Sequence, residues 1–88
     1  MANKESAKKR NRQMIKRRSR NRAHRSRMRT EIKRLRSAID GGEAQVAREL
    51  LPATLGVVDA VAQKGVIHRN TASRTKSRLA RAVAALEG

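Results

Sequence analysis

Apolar positions recur along this chain at helical spacing and nowhere alternate as a strand would. Met28, Ile32, Leu35 and Ile39 are separated by four, three and four residues, which puts them on one stripe, and Gly41 stands where a helix C-cap is wanted. A second set, Val46, Leu50, Val57, Val58 and Val61, lies close to one face and is widened by Ala47, Leu51, Ala60 and Ala62. Gly65 ends it, and Val66 is placed to make the apolar contact of a Schellman turn. A third set, Ala72, Leu79, Val83 and Leu86, lies away from Arg74, Arg78 and Arg81, with His68 or Asn70 as its N-cap. Pro52 interrupts the second set. It lacks a backbone donor and crowds the carbonyl of Arg48, so a kink or a brief break is expected there.

These patterns predict a first helix running to about residue 40, a second over about 43–64 and a third over about 69–86, in a single domain of residues 1–88. The short connections at Gly41–Gly42 and from Gly65 to about Arg69 make successive helices antiparallel neighbours. A first helix from Ser6 to Ile39 would be roughly 50 Å long and the second roughly 33 Å, so the first must overhang. Steps of three and four upstream of Met28 reach Arg25, Asn21, Arg17 or Arg18, Met14, Asn11 and Ala7. The apolar face has become polar or basic, and no protein core can cover it. Residues 1–25 are therefore an arm, frayed by its own charge when alone and continuous helix when held against phosphates. The expected fold is all-α, an antiparallel three-helix bundle with a long, overhanging basic first helix.

Composition limits the core. Of 33 apolar residues 14 are alanine and none is aromatic, which leaves 19 Val, Ile, Leu and Met to offset backbone entropy, and makes folding coupled to a partner plausible. There is no cysteine, hence no disulfide framework and no thiolate metal site. His24 and His68 have no carboxylate cluster beside them, so no metal is expected. Asp40 and Asp59 are the only aspartates and lie in different segments, and no base stands ready to activate a serine or threonine. Neither catalysis, a cofactor nor a small-molecule substrate is expected. The N-terminus lacks the apolar stretch of a secretory signal and no run approaches the roughly 20 residues of a membrane span, so the expected location is cytoplasmic.

Charge then names the kind of partner. The net charge is +16, and residues 1–36 hold 16 Lys and Arg against two acids, whereas residues 37–88 hold seven against five. A field of this density attracts a polyanion. Eleven of the 16 are arginine, whose planar fork grips phosphate oxygens and can bridge two strands, a geometry that a mere electrostatic tail does not need. A membrane surface would require an apolar face, and residues 4–27 offer only Ala7, Met14, Ile15 and Ala23. Nucleic acid is favoured, with Lys4, Ser6, Lys8, Lys9, Arg10 and Arg12, then Lys16, Arg17, Arg18, Arg20, Asn21 and Arg22, and finally Arg25 and Arg29 as candidate contacts. The antiparallel order brings Lys64, His68, Arg69, Asn70 and Arg74 to the end from which the arm emerges, where the N-terminus of the third helix is a natural phosphate seat. Without aromatic stacking platforms, recognition should rest on the shape and backbone of folded or double-stranded nucleic acid. Gly41–Gly42 ends any zipper, and the basic residues of the third helix are too spread for a helix-turn-helix reading head. Bracing of adjacent RNA helices is the leading reading from the residues; DNA compaction is the alternative, and a cationic membrane-active helix the third.

Several stretches resemble the bacterial small-ribosomal-subunit protein S-twenty family. They are the opening Met1-Ala2-Asn3 with Ser6-Ala7-Lys8-Lys9-Arg10, then Arg27-Met28-Arg29-Thr30 with Ile32-Lys33, and above all Lys64-Gly65-Val66-Ile67-His68-Arg69-Asn70-Thr71-Ala72-Ser73-Arg74 with Lys76-Ser77-Arg78-Leu79. The resemblance covers essentially the whole chain. It implies a three-helix bundle with a long first helix, and a ribosomal protein that binds the 5′ domain of 16S ribosomal RNA directly and early in assembly. It also implies contact with the long penultimate stem of that RNA, and few or no protein contacts within the small subunit. Lys76 and Arg78 join the candidate RNA contacts within the matching third helix. Glu5 departs from the basic residue usual in the family; its charge suits a helix N-terminus instead.

Overall fold

The computed structural model describes the backbone of residues 3–87 and the side chains of residues 6–86. Three helices account for nearly all of it: α1 (Asn3–Asp40), α2 (Ala44–Gln63) and α3 (Arg69–Glu87). There is no strand among the described residues. The boundaries fall within three residues of those expected, and α1 is one uninterrupted helix.

Both connections are Schellman turns, and each depends on a glycine at positive φ. After α1, Gly42 has φ +70°; its N–H donates to the Ile39 carbonyl at 3.0 Å and the Glu43 N–H donates to that of Ala38 at 2.9 Å. Gly41 holds the C-cap position as expected, but the left-handed conformation that turns the chain belongs to its neighbour. After α2, Gly65 has φ +74°, with its N–H on the Ala62 carbonyl at 3.0 Å and the Val66 N–H on that of Val61 at 3.2 Å. Val61 and Val66 are both buried at this turn, the apolar closure read from the sequence. His68, one of the two residues expected to cap α3, does so: its Nδ1 accepts the Asn70 N–H at 3.0 Å.

The core is thin and made of small residues. Leu35 and Ala38 of α1 meet Ala47 of α2 and Leu79 and Val83 of α3, with Ile32, Ile39, Leu50, Leu51 and Leu86 packed around them. Val58, Val61 and Ala72 continue the buried seam toward the Gly65 turn. The phase of α2 differs from the expectation at one end. Val46 is 42% exposed, and Ala47 is buried in its place, because the buried stripe runs Ala47, Thr54, Val58 and Val61 at steps of seven, four and three. Thr54 was not read as a core residue. Its hydroxyl enters the stripe by donating to the Leu50 carbonyl at 2.9 Å, which removes the cost of burying it. Pro52 does not break α2, contrary to the break allowed for above: the helix runs through it from Ala44 to Gln63, with Pro52 on the exposed side, where carbonyls can tilt outward to water.

The middle helix holds the other two together. The backbone of α2 runs close to both α1 and α3, whereas α1 and α3 approach each other mainly through their side chains in the core. An ion pair at 2.7 Å between Asp59 of α2 and Lys76 of α3 closes the outer side of one of these seams. At the standard rise, the 38 residues of α1 span about 57 Å and the 20 of α2 about 30 Å. The molecule is accordingly a rod of 67 × 21 × 15 Å, and most of the excess length is the N-terminal half of α1. Every residue from Ser6 to Arg20 is exposed; Asn21 and His24 are the first to be partly covered.

Candidate nucleic-acid interface

The N-terminal three-quarters of α1 presents cations on two faces in succession, a consequence of where they fall at 3.6 residues per turn. Lys9, Arg12 and Lys16, three and four apart, line a groove on one flank together with Lys8 and Gln13. Arg18, Arg22, Arg25 and Arg29, spaced four, three and four, line another with Asn21 and Ser26 between them. Rungs at this spacing rise about 4.5 or 6 Å along the axis, so four guanidinium groups can follow one strand of a phosphate backbone. Arg10 and the remaining arm cations are exposed, as is Ser6; the side chain of Lys4 lies outside the described residues.

Between the arm and the bundle lies a cleft of about 620 Å³, lined by Arg17, Arg20, Asn21 and His24 of α1 and by Lys64, Gly65 and Val66 of the α2–α3 turn. This is the meeting of arm and turn expected from the antiparallel order. It is fastened by Arg25, whose Nη2 donates to the Val66 carbonyl at 3.3 Å across 41 residues of sequence. That bond spends one donor of a five-donor side chain and leaves the guanidinium in the arginine groove.

The other residues of the expected second jaw do not line this cleft. Arg69 lines a different groove, between α2 and α3, with Asp59, Gln63, Ser73 and Lys76. Lys76 is committed to Asp59. His68 and Asn70 are exposed, but the His68 ring already accepts the Asn70 N–H, so one of the free backbone donors of the α3 phosphate seat is taken by the chain itself. Arg74 and Arg78 are exposed on α3 and line none of the clefts described here.

His24, Gly65 and Val66 were not read as site residues. His24 carried a signal: it stands four residues before Met28 and three after Asn21, on the same stripe, but the upstream walk took the step of three to Arg25. The place of Val66 carried none, because a backbone carbonyl has no residue type to read. Among the described residues there is no cluster of His, Cys, Asp and Glu able to hold a metal, and no helix is long and apolar enough to cross a membrane.

The family model described as ribosomal protein S20 matches residues 2–84. The small ribosomal subunit protein bS20 of Nitrosomonas eutropha is 50% identical over 86 residues, covering 98% of this chain and 99% of that one. Its namesake from Koribacter versatilis is 51% identical over 85 residues, 97% of this chain and 96% of its own. The Burkholderia multivorans protein of the same name is 47% identical over 87 residues, 99% and 97% of the two chains.

Proposed function

Because this chain belongs to the ribosomal protein S20 family, we propose that it is a structural constituent of the small subunit of the cytoplasmic bacterial ribosome that binds 16S ribosomal RNA directly. Its site is in the 5′ domain and is occupied early in assembly. There it neutralises and braces adjacent RNA helices through α1. RNA, rather than another protein, is its principal partner, and it performs no catalysis.

One observation supports bracing above simple attachment: α1 carries two cationic grooves in succession on different faces, one on the free arm and one running from it alongside the bundle. A helix with phosphate-binding groups on different faces suits insertion between two RNA segments, each of which would otherwise repel the other. Arginine dominates the flank nearer the bundle, where bidentate contacts would set register as well as affinity.

The test compares two double variants that remove the same charge. Arg18→Ala with Arg22→Ala should lower the salt dependence of binding to 16S RNA by roughly 0.7–0.9 in log–log slope per lost phosphate contact. Arg36→Ala with Arg81→Ala should leave that slope nearly unchanged. Equal losses would remove the arm from its role, and a preference for duplex DNA over folded 16S RNA at physiological salt would defeat the ribosomal reading.

A further inference from the structure

The cleft between α1 and the α2–α3 turn differs in kind from the two grooves along the arm. Those grooves are lined by α1 alone and mostly by cationic side chains, which is all a phosphate requires. The cleft has walls from two elements, and part of its lining is neither Lys nor Arg: the carboxamide of Asn21, the imidazole of His24 and the backbone at Gly65. Asn21 and His24 are half-buried, one turn apart on the same stripe, and neither side chain is hydrogen-bonded within the described chain. Space is open above Gly65, where an added Cβ would meet no atom within 4 Å.

A carboxamide can donate to a phosphate oxygen too, but a nucleobase edge uses its donor and its acceptor together. A carboxamide can pair with such an edge, and an imidazole can stack on its face. Resting on the proposed binding to 16S RNA, we infer that this cleft receives one unstacked nucleotide of the bound RNA. Its base lies between the His24 ring and the bare backbone of Gly65, Asn21 reads an edge, and Arg17, Arg20 and Lys64 hold the flanking phosphates at the mouth. The arm grooves then give affinity, and the cleft gives register on the RNA.

The experiment probes full-length protein bound to 16S RNA with a base-specific methylating reagent and, in parallel, with hydroxyl radicals that report backbone contact. Wild-type protein should protect the base of one unpaired nucleotide inside its backbone footprint. His24→Ala and Asn21→Ala should each restore that base's reactivity and weaken binding about five- to tenfold, the scale of one lost stacking contact. The backbone footprint, the salt slope and the helicity measured by circular dichroism should all be unchanged. His24→Phe, which keeps a ring, should retain the protection. Base reactivity identical in wild-type and His24→Ala complexes would overturn the inference, as would a fall in salt slope like that of an arginine variant. Absence of any wild-type backbone footprint would overturn the proposed function together with it.

Discussion

Residues 6–20 and residues 28–39 belong to the same helix and share almost nothing else. The second stretch contributes Leu35 and Ala38 to the core and is held by burial. The first buries nothing: even its two larger apolar residues, Met14 and Ile15, are 50% and 59% exposed. Burial is not weakened by added salt, whereas interaction of the arm's cations with a polyanion releases counterions and weakens as salt rises. One continuous helix thus joins a part that makes the protein stable to a part that makes it bind. Stability and affinity should therefore be separable by position along α1, and each of the following substitutions tests where the line falls.

The largest effect is expected in the seam. Leu79 is among the largest fully buried side chains, and with so small a core the cavity left by Leu79→Ala cannot be refilled by aromatic neighbours. A loss of about 2–5 kcal/mol is expected, enough to abolish cooperative thermal unfolding in a chain of this size. Ile15→Ala, the same kind of truncation in the arm, should shift the unfolding midpoint by no more than about 0.5 kcal/mol in equivalent stability. If the two variants were equally destabilised, the arm would be part of the folded unit and the comparison would fail.

Gly65→Ala acts on both halves at once. Its φ of +74° costs an L-residue roughly 1–2 kcal/mol, although nothing stands in the way of the added methyl group. The strain falls on the turn whose next residue, Val66, accepts the Arg25 bond, so urea unfolding should report the lost stability and RNA binding should weaken with it. Arg25→Lys, which cannot reproduce the guanidinium geometry, should weaken binding while leaving the urea midpoint nearly unmoved.

How much of this was legible in the sequence follows the same division. The helices, their order, the overhang and the meeting of the arm with Lys64 could be read because each rests on periodicity, on glycine at a turn, or on charge density. The inward position of Thr54 and the outward one of Val46 could not, since a valine beside an alanine looks like the better core residue, and a threonine hides its hydroxyl only once the helix carbonyl at Leu50 is in place. The neighbours of the candidate contacts on α3 could not be read for a related reason. Composition shows that Lys76 is a cation, but not that Asp59, 17 residues earlier, stands 2.7 Å from it. His24 was passed over because a half-buried polar residue at the edge of a core resembles an exposed one until the facing turn is known.

His68 offers a smaller effect that separates capping from RNA contact. With its Nδ1 on the Asn70 N–H, His68→Ala should cost about 1 kcal/mol, the usual scale of a lost N-cap, and His68→Asn should restore it. If His68→Ala left stability intact but weakened RNA binding, the ring would belong to the binding half of the molecule rather than to the folded half.

The smallest effect is the most discriminating for α3. The Asp59–Lys76 pair is short, but Asp59 is 54% exposed and Lys76 34%, so its contribution is screened and should lie at about 0.2–1 kcal/mol. Asp59→Asn should therefore lower the urea midpoint only slightly, and less still at high salt. Its effect on binding is the sharper measurement. While Asp59 holds Lys76, Lys76→Ala should leave 16S RNA affinity and its salt slope unchanged, although the sequence nominates Lys76 as a contact. Freed by Asp59→Asn, Lys76 gains a charge it can offer to phosphate, so the same Lys76→Ala change made in that background should now reduce the slope by up to roughly 0.9. A reduction of that size in the wild-type background would show that RNA breaks the pair on binding, and would move α3 from the folded half of the comparison to the binding half.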